Sequence, residues 1–244
     1  MTVRNRVDAL DLQAVLERCR LVDLSQPLGA RTVLWPGSRP LVASVRATVR
    51  ADGHYLRDLD IVEHCGTHLD APAHFVTDGA HVDDLTLEQL VRPLVVLDVR
   101  ALVGDDPDFT LSAGDVERIE ERDGMIPAGV AVAVCTGWDR FVDAPARYIG
   151  VPGPNCPGIG VDAAELCVAR GVVGVAIDTR GIDPGHRTDC PAHHVTLGAG
   201  LWHLEGVVGL HQVPSRGARL FAAVLPLVDG SGAPARVFAL VPAE

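Results

Sequence analysis

Residues 63–75 read Glu-His-Cys-Gly-Thr-His-Leu-Asp-Ala-Pro-Ala-His-Phe, and this stretch places His64, His68, Asp70 and His74 within eleven positions. All four lie at even positions, so their side chains would share one face of a straight strand. A straight strand would also spread residues 64–70 over about 20 Å. The ligands of one metal ion must instead converge to about 2 Å from it. Gly66 permits the necessary bend, so the stretch predicts a bent segment that carries two imidazoles and a carboxylate.

A helix is the alternative arrangement for this stretch, because it would place His64 and His68 one turn apart, as in H-E-x-x-H metalloenzymes. Gly66 and Pro72 both oppose a helix, and Cys65 stands where such enzymes carry a glutamate. A single histidine is usually a surface residue or a hydrogen-bonded core residue. Three histidines and an aspartate laced with glycine and proline indicate a metal or catalytic site.

A second group of polar residues lies between positions 178 and 205 and comprises Asp178, Asp183, His186, Asp189, His193, His194, His203 and Glu205. Asp178 follows a predicted strand, where α/β enzymes often place functional groups. His186 is expected to be a solvated loop residue. Only one of His193 and His194 is expected to be a ligand, and the residues alone do not choose between them. Glu205 stands among apolar residues, so it needs either a metal or an arginine partner.

The rest of the chain predicts a mixed α/β fold in one domain spanning residues 1–244. Hydrophobic periodicity predicts helices over 8–19, 86–90, 112–122 and 161–170, and strands over 21–24, 94–99, 130–135, 172–177, 219–228 and 236–241. Thr86 and Gln89 form a predicted capping box. Alternation over 41–50 predicts a half-buried strand with one solvated face. Residues 150–160 are rich in glycine and proline and predict a loop, which we expect to act as a mobile lid.

Composition excludes several classes of protein. A hydrophobic fraction of 48% with 22% charged residues argues against disorder. The net charge of −11 argues against a nucleic-acid or anionic-membrane partner. No apolar run reaches the roughly 20 residues of a spanning helix, and the first residues lack the apolar core of a signal peptide. We therefore expect a cytoplasmic protein whose six cysteines are free thiols without a C-x-x-C pair.

The pattern His64-x-Gly66-Thr67-His68-x-Asp70-x-Pro72-x-His74 resembles the signature of the metal-dependent cyclase-like hydrolases, which include kynurenine formamidases and isatin hydrolases. Supporting similarities extend through most of the chain and comprise Leu24-Ser25-Gln26-Pro27-Leu28, Trp35-Pro36-Gly37, Ile177-Asp178-Thr179, Ile182-Asp183-Pro184 and Pro191-Ala192-His193-His194 followed by Glu205.

The resemblance implies a role for each matching residue. His64, His68 and Asp70 would hold one divalent ion, and Asp70, His193 and Glu205 would hold a second. His74 would be the general acid and base, and Trp35 would line the substrate pocket. The implied fold is the swivelling β/β/α type, in which barrel-like sheets carry flanking helices, and the implied assembly is a homodimer or a larger homo-oligomer. This resemblance selects His193 over His194.

Two histidines with carboxylates suit Zn²⁺, whereas a shell richer in oxygen admits Mn²⁺. The expected reaction is hydrolysis of the amide bond of a small molecule by metal-activated water; the Gly-x-Ser-x-Gly pattern of α/β-hydrolases is absent. N-formylated aryl amines rank first as substrates. Cyclic amides or imides rank second, because Gly206 replaces the asparagine of the formamidases and the segment 138–160 is longer. A lactone hydrolase, a cyclase or dehydratase, and a non-enzymatic metal-dependent binding protein are the alternatives.

Overall fold

A closed ring of strands is the central feature of the computed structural model, which describes residues 12–150 and 153–243. The strands are β1 (Cys19–Asp23), β2 (Val42–Ala47), β3 (Leu56–Asp60), β4 (His68–Asp70), β5 (Val91–Asp98), β6 (Thr110–Leu111), β7 (Ala131–Cys135), β8 (Gly158–Ile159), β9 (Gly174–Ile177), β10 (Trp202–Glu205), β11 (Ala218–Val224) and β12 (Gly232–Pro242). The α-helices are α1 (Leu12–Glu17), α2 (Val49–Asp52), α3 (Leu87–Leu90), α4 (Arg100–Val103), α5 (Ala113–Asp123), α6 (Pro145–Ile149), α7 (Val161–Ala169) and α8 (Pro191–Gly198). Short 3-10 turns lie at Pro72–His74, Val82–Asp84, Trp138–Phe141 and Leu210–Gln212.

The ring runs in the order β4, β12, β11, β5, β7, β9 and β10, and β10 pairs back onto β4. The long strand β12 closes it, because residues 232–234 pair with β4 and residues 235–240 pair with β11. Strand β1 lies outside the ring on β12. The strands β5, β7, β9 and β10 run parallel to one another. This ring and its helices confirm the predicted mixed α/β fold with a barrel-like sheet.

The alternation of side chains along the parallel strands divides the apolar residues between two cores. In β7, Val132 and Val134 join the core under the helices, where they meet residues of α5 and α7. Ala131 and Ala133 point to the other face, into the core inside the ring. All five residues of β7 are buried, as expected for a parallel strand covered on both faces.

Most predicted elements are present close to their expected positions. The capping box of Thr86 and Gln89 opens α3, and Ser112 caps α5, which ends at Gly124. The strands predicted over 219–228 and 236–241 correspond to β11 and β12, which pair with each other antiparallel. The predicted helix over 8–19 corresponds to α1, which ends at Glu17 because β1 begins at Cys19; residues 8–11 lie outside the described part of the chain.

The strand predicted over 41–50 is shorter than expected and is not half-buried. Residues 42–47 form β2, which pairs only with β3 in a separate two-stranded ribbon, and five of the six β2 residues are exposed. The prediction of a buried face was wrong because alternation shows that a strand has two different faces. It does not show that another layer covers one of them.

The loop predicted over 150–160 contains one short strand. Gly158 and Ile159 form β8, which runs parallel to β6; residues 151 and 152 are outside the described ranges. A Cβ atom at Gly158 would lie 2.1 Å from the backbone nitrogen of Pro184. The absence of a side chain at Gly158 therefore allows this close approach of the two backbone segments.

No helix within the described residues is long and apolar enough to cross a membrane. The six cysteines are free thiols, as expected, and four of them are buried. The cytoplasmic location and the single-domain organisation stay predictions.

Candidate active site and metal centre

A cavity of about 450 Å³ opens where β4 and β10 meet. Its lining includes all but one of the residues to which the family resemblance assigns a role, namely Trp35, His64, His68, His74, His193 and Glu205. The exception is Asp70, which is 1% exposed and lies directly behind His64 and His68. Apart from Trp35, these groups come from two segments of the chain. We call residues 64–74 the motif wall and residues 178–205 the distant wall.

Strand pairing brings the two walls together. In the antiparallel pair of β4 and β10, His68 lies opposite Glu205 and Asp70 lies opposite His203. Side chains of directly opposed residues project from the same face of a sheet. His68 and Glu205 are more than 130 positions apart along the chain. Strand pairing nevertheless brings His68 Nε2 within 3.5 Å of Glu205 Oε2.

The bend predicted at Gly66 is present. Gly66 has a φ of +61°, and a Cβ atom there would lie 2.4 Å from a methyl carbon of Leu28. The chain turns at this point, so that His64 returns to Asp70 with 2.6 Å between its Nδ1 and Oδ1. The segment is a bend followed by the short strand β4, and Pro72–His74 then forms a 3-10 turn.

Asp70 is the centre of the site. Its Oδ1 lies 3.2 Å from His68 Nε2, and its Oδ2 lies 3.6 Å from His193 Nε2 and 3.9 Å from His203 Nδ1. Burial alone would raise the pKa of Asp70. The charge of His68 and the hydrogen bonds of the surrounding imidazoles outweigh burial and hold that pKa well below its usual range.

Each of the four imidazoles around Asp70 has its outer nitrogen engaged by another group. His68 Nδ1 donates to the carbonyl of Gly66 at 3.0 Å. The other three outer contacts are His64 Nε2 with Ser231 Oγ, His193 Nδ1 with an oxygen of Asp183, and His203 Nε2 with Thr196 Oγ. Such outer partners fix the ring orientation and tautomer of metal-binding histidines.

The hydroxyl contacts define two of these tautomers. Ser231 Oγ donates to Glu63, so it accepts from His64 Nε2, and Thr196 Oγ donates to the carbonyl of Ala192, so it accepts from His203 Nε2. In its neutral form each of these two rings would therefore present a lone pair on Nδ1 toward the Asp70 carboxylate.

These lone pairs bear on whether the site fits a cation. Asp70 Oδ2 and His203 Nδ1 are buried and have no hydrogen-bond partner among the described residues. Acceptors that face one another in a buried site need a cation or a proton between them. Asp70, His193, His203 and Glu205 each offer a ligand atom, and these atoms lie within 4.8 Å of one another. This donor set fits a divalent ion.

His203 is the member of this group to which the sequence analysis assigned no role. It is fully buried, and burial together with the charge of His193 holds its pKa well below the usual range. The available signal was its position two residues before Glu205 on one strand, which places both side chains on the same face.

Asp183 positions the distant wall. Its carboxylate accepts the backbone N–H of Ala192 at 2.8 Å and that of His193 at 3.1 Å, and one oxygen lies 2.5 Å from His193 Nδ1. Burial alone would lower the pKa of His193, but the carboxylates of Asp183, Asp70 and Glu205 raise it well above the usual value. His194 lies on the exposed side of α8, and its ring contacts that of Phe75.

The carboxylate of Glu205 is contacted by a backbone N–H group and by two histidines, and not by an arginine. Its Oε1 accepts the backbone N–H of Ile182 at 2.9 Å and lies 3.1 Å from His193 Nε2. Its other oxygen faces His68. In the described part of the chain no arginine lies within ion-pair distance of Glu205.

His74 and Trp35 lie at the mouth of the cavity. The His74 ring stacks on that of His64 at 3.9 Å. Burial lowers the pKa of His74, and the positive charges of His64 and His193 reinforce this against the opposing pull of Asp70 and Glu205. The net effect favours the neutral form of the His74 imidazole. Trp35 is 45% exposed.

Three other candidates do not join the cavity. Asp178 belongs to the distant wall but is buried away from the cavity, where it accepts hydrogen bonds from the hydroxyl of Thr136 and the backbone N–H of Gly137. His186 is partly exposed at 3.6 Å from Asp108, and Asp189 pairs with Arg187 in solvent.

The family model named Cyclase, described as "Putative cyclase", matches residues 22–184, which is more than half of the chain. The chain belongs to the Cyclase family. An isatin hydrolase of Roseibium aggregatum is 35% identical over 74% of this chain and 72% of its own. A kynurenine formamidase of Salinibacter ruber is 33% identical over 88% of this chain and 95% of its own.

Solved structures agree with the family assignment. The crystal structure of an isatin hydrolase bound to the product analogue thioisatinate has a TM-score of 0.89 at 29% identity, covering 99% of this chain and 100% of that one. A structure from Bacillus stearothermophilus, described as a predicted metal-dependent hydrolase, has a TM-score of 0.71 at 26% identity, over 91% of this chain and 98% of that one. The Cyclase family relatives of this chain are thus named as hydrolases.

Proposed function

We propose that this protein is a metal-dependent amidohydrolase that acts on a small molecule, with N-formylated aryl amines of the N-formylkynurenine type as its first substrate class. The observation that carries the proposal is the arrangement around Asp70. Four imidazoles direct their inner nitrogens at one buried carboxylate, and another group engages the outer nitrogen of each. Structural ion pairs do not need this directed set of tautomers, whereas metal ligands do.

His64, His68 and Asp70 are the proposed ligands of one divalent ion, and Asp70, His193 and Glu205 are those of a second. His203 is added as a candidate ligand of the second. Zn²⁺ and Mn²⁺ are the proposed metals. A divalent ion bound there would supply a Lewis acid that lowers the pKa of a water molecule toward about 7.

His74 is the proposed general acid and base. Its ring is neutral and open to the cavity, so it can accept a proton at a ring nitrogen from water. The resulting imidazolium lies near the carboxylates of Asp70 and Glu205, which stabilise its charge, and it can donate the proton to the leaving nitrogen. The Trp35 ring offers a flat wall for an aromatic substrate. A protein that only bound its ligand would not need this base.

The names of the relatives support both substrate classes. Several are named kynurenine formamidase, and others are named isatin hydrolase. Cyclic amides or imides of the isatin type are therefore the second candidate class. The cavity of about 450 Å³ accommodates one compact planar molecule of either kind.

Metal analysis of the purified protein, followed by assays on N-formylkynurenine, isatin and simple lactones, tests the proposal. We expect bound Zn²⁺ or Mn²⁺ and the highest kcat/KM on N-formylkynurenine. Activity on the formyl substrate that survives complete removal of metal would contradict the metal-dependent mechanism. A preference for lactones would contradict the amide assignment and leave the metal dependence intact.

We also propose that the chain forms a homodimer or a larger homo-oligomer. The support is the ribbon of β2 and β3, which exposes Val42, Val45, Leu56 and Leu59 to at least half of their full extent. Apolar surface of this kind is commonly buried between subunits. Sedimentation that showed a stable monomer at micromolar concentration would refute the proposal.

A further inference from the structure

Arg180 is a buried cation in the cavity and has no ionic partner among the residues that the structure describes. Its side chain lines the cavity, and the residue is only 8% exposed. All three of its guanidinium nitrogens are buried and have no hydrogen-bond partner among the described residues. A guanidinium stays charged in proteins and carries five N–H donors, and a buried charge without a partner is strongly unfavourable.

The residues around Arg180 hold its backbone and leave its donors free. The carbonyl of Thr179 accepts the backbone N–H of Gly206 at 2.7 Å, and the backbone N–H of Ile182 donates to Glu205. The segment that carries Arg180 is therefore fixed to the strand end that supplies Glu205. No described carboxylate lies within ion-pair distance of the guanidinium, although Glu205 belongs to the same cavity.

We propose that Arg180 binds a carboxylate of the substrate, so that the preferred substrates are amides that also carry a carboxylate group. The guanidinium fork matches a carboxylate with two parallel charge-assisted hydrogen bonds. This inference rests on the proposed hydrolase function, and it narrows the substrate class to anionic molecules. N-formylkynurenine meets this condition and a simple aryl formamide does not.

A carboxylate fits better than a phosphate group because the described lining of the cavity offers a single unpaired guanidinium. The other arginine in the lining, Arg187, bonds both oxygens of Asp189 at 2.8 Å and is exposed at the rim. The fork of one guanidinium pairs both oxygens of a carboxylate, whereas the third oxygen of a phosphate group would find no second unpaired arginine in the described lining.

Trp35 covers the proposed subsite. The guanidinium carbon of Arg180 lies 4.0 Å from the centre of the Trp35 ring, a distance at which a cation is attracted to the ring face. Trp35 is about half exposed and lies in residues 32–41, which form no helix or strand. An exposed ring can turn aside at little cost, so the carboxylate reaches the guanidinium donors when the ring moves.

Arg180→Met tests this inference, because methionine keeps much of the side-chain length and the packing on Trp35 but removes the charge and the donors. The substrates are N-formylkynurenine and its carboxamide, which share the reacting formamide. We expect Arg180→Met to lower kcat/KM on the carboxylate substrate by about tenfold or more, mainly through KM, and to leave the carboxamide within about twofold. Arg180→Lys should retain part of the preference, since it keeps the charge and loses the fork.

Arg187→Met is the matched control, because it makes the same change on the rim of the same cavity. It should leave the ratio of the two kcat/KM values unchanged. An equal loss on both substrates in Arg180→Met, or no loss on either, would overturn the inference while the proposed hydrolase function stood.

A binding measurement separates this inference from the proposed reaction. Calorimetric titration of the metal-loaded protein with 2-aminobenzoate and with 2-aminobenzamide requires no turnover. We expect the wild-type protein to prefer the carboxylate and Arg180→Met to lose that preference, even if neither formyl substrate is hydrolysed. An unchanged preference in Arg180→Met would assign carboxylate binding to other groups and overturn the inference.

Discussion

The motif wall and the distant wall contribute similar side chains to one cavity, yet they are assembled by different means. The motif wall places its imidazoles with one bend at Gly66 and one short strand, β4. The distant wall draws on the end of β9, on α8 and on β10. Its groups meet those of the motif wall only because β10 pairs with β4 in one register. The motif wall is therefore positioned by contacts that are local in the sequence, whereas the distant wall is positioned by the strand pairing of the barrel.

The two walls also differ in how they hold a buried aspartate. Asp70 on the motif wall is surrounded by imidazoles, which hold its pKa well below the usual range against the effect of burial. Asp178 on the distant wall is equally buried, but its contacts are neutral hydroxyl and amide donors. Burial there raises the pKa to about 7. Equal burial thus yields opposite shifts, and the neighbouring charges decide the direction.

The largest effect is expected for His68→Ala on the motif wall. His68 Nε2 faces both carboxylates of the proposed centre, so its loss should abolish both metal retention and turnover. Metal content and kcat/KM after purification measure the two effects. His194→Ala is the matched control, because His194 lies on the exposed side of α8 and should retain both. Full metal content in His68→Ala would contradict the proposed ligand set.

A smaller effect is expected for His74→Ala, at the end of the motif wall. If His74 is a general base and not a ligand, its removal should lower the rate of hydrolysis by about 10²–10⁴-fold. The metal content should stay at the wild-type level. The metal content distinguishes a base from a ligand here, because a ring nitrogen of His74 also lies within 4.8 Å of ligand atoms of His64 and Asp70. Metal loss as complete as that in His68→Ala would make His74 a ligand and remove its proposed catalytic role.

The distant wall should respond to Asp183→Asn, which weakens the support of His193 without touching the cavity ligands of the motif wall. Removing such an outer carboxylate typically costs about 10–100-fold in metal affinity or activity. Competition with a chelator measures this loss. Asp189→Asn is the control, because it is the same change on the same wall at a residue that pairs with Arg187 in solvent. If both variants retained the metal equally well, Asp183 would serve only to hold the N-terminus of α8.

The contrast between the walls explains which parts of the site could be predicted from the sequence. His64, His68, Asp70 and His74 stand out because their spacing is local, and Gly66 marks the bend that brings them together. His193 could not be separated from His194 by residue type, because the choice depends on which side of α8 faces the cavity. The roles of His64, His68, Asp70 and His193 as metal ligands, and of His74 as the base, stay predictions.

Contacts between distant parts of the chain explain what the sequence did not predict. His203 gained a candidate role only from the register of β10 against β4, and Arg180 only from the absence of an ionic partner in the described cavity. In the fold, the order of helices and strands was largely predictable from periodicity. The exposure of β2 was not, because it depends on whether another layer packs on the ribbon.

The smallest effect concerns Asp178 and distinguishes the two buried aspartates by the pH dependence of stability. Its pKa is raised to about 7 in the folded state and is about 3.9 in an unfolded chain. The folded state therefore holds the Asp178 proton more tightly, and this contribution to stability is lost as the pH rises toward and through 7. We expect the free energy of unfolding of the wild-type protein, relative to Asp178→Asn, to fall by on the order of 2 kcal/mol between pH 5 and pH 8. Urea unfolding of both proteins at several pH values measures this difference, and asparagine removes the titration while keeping an oxygen acceptor for Thr136. If the difference instead rose with pH, the neutral donors around Asp178 would be stabilising its carboxylate as effectively as imidazoles stabilise Asp70, and the contrast between the walls would fail.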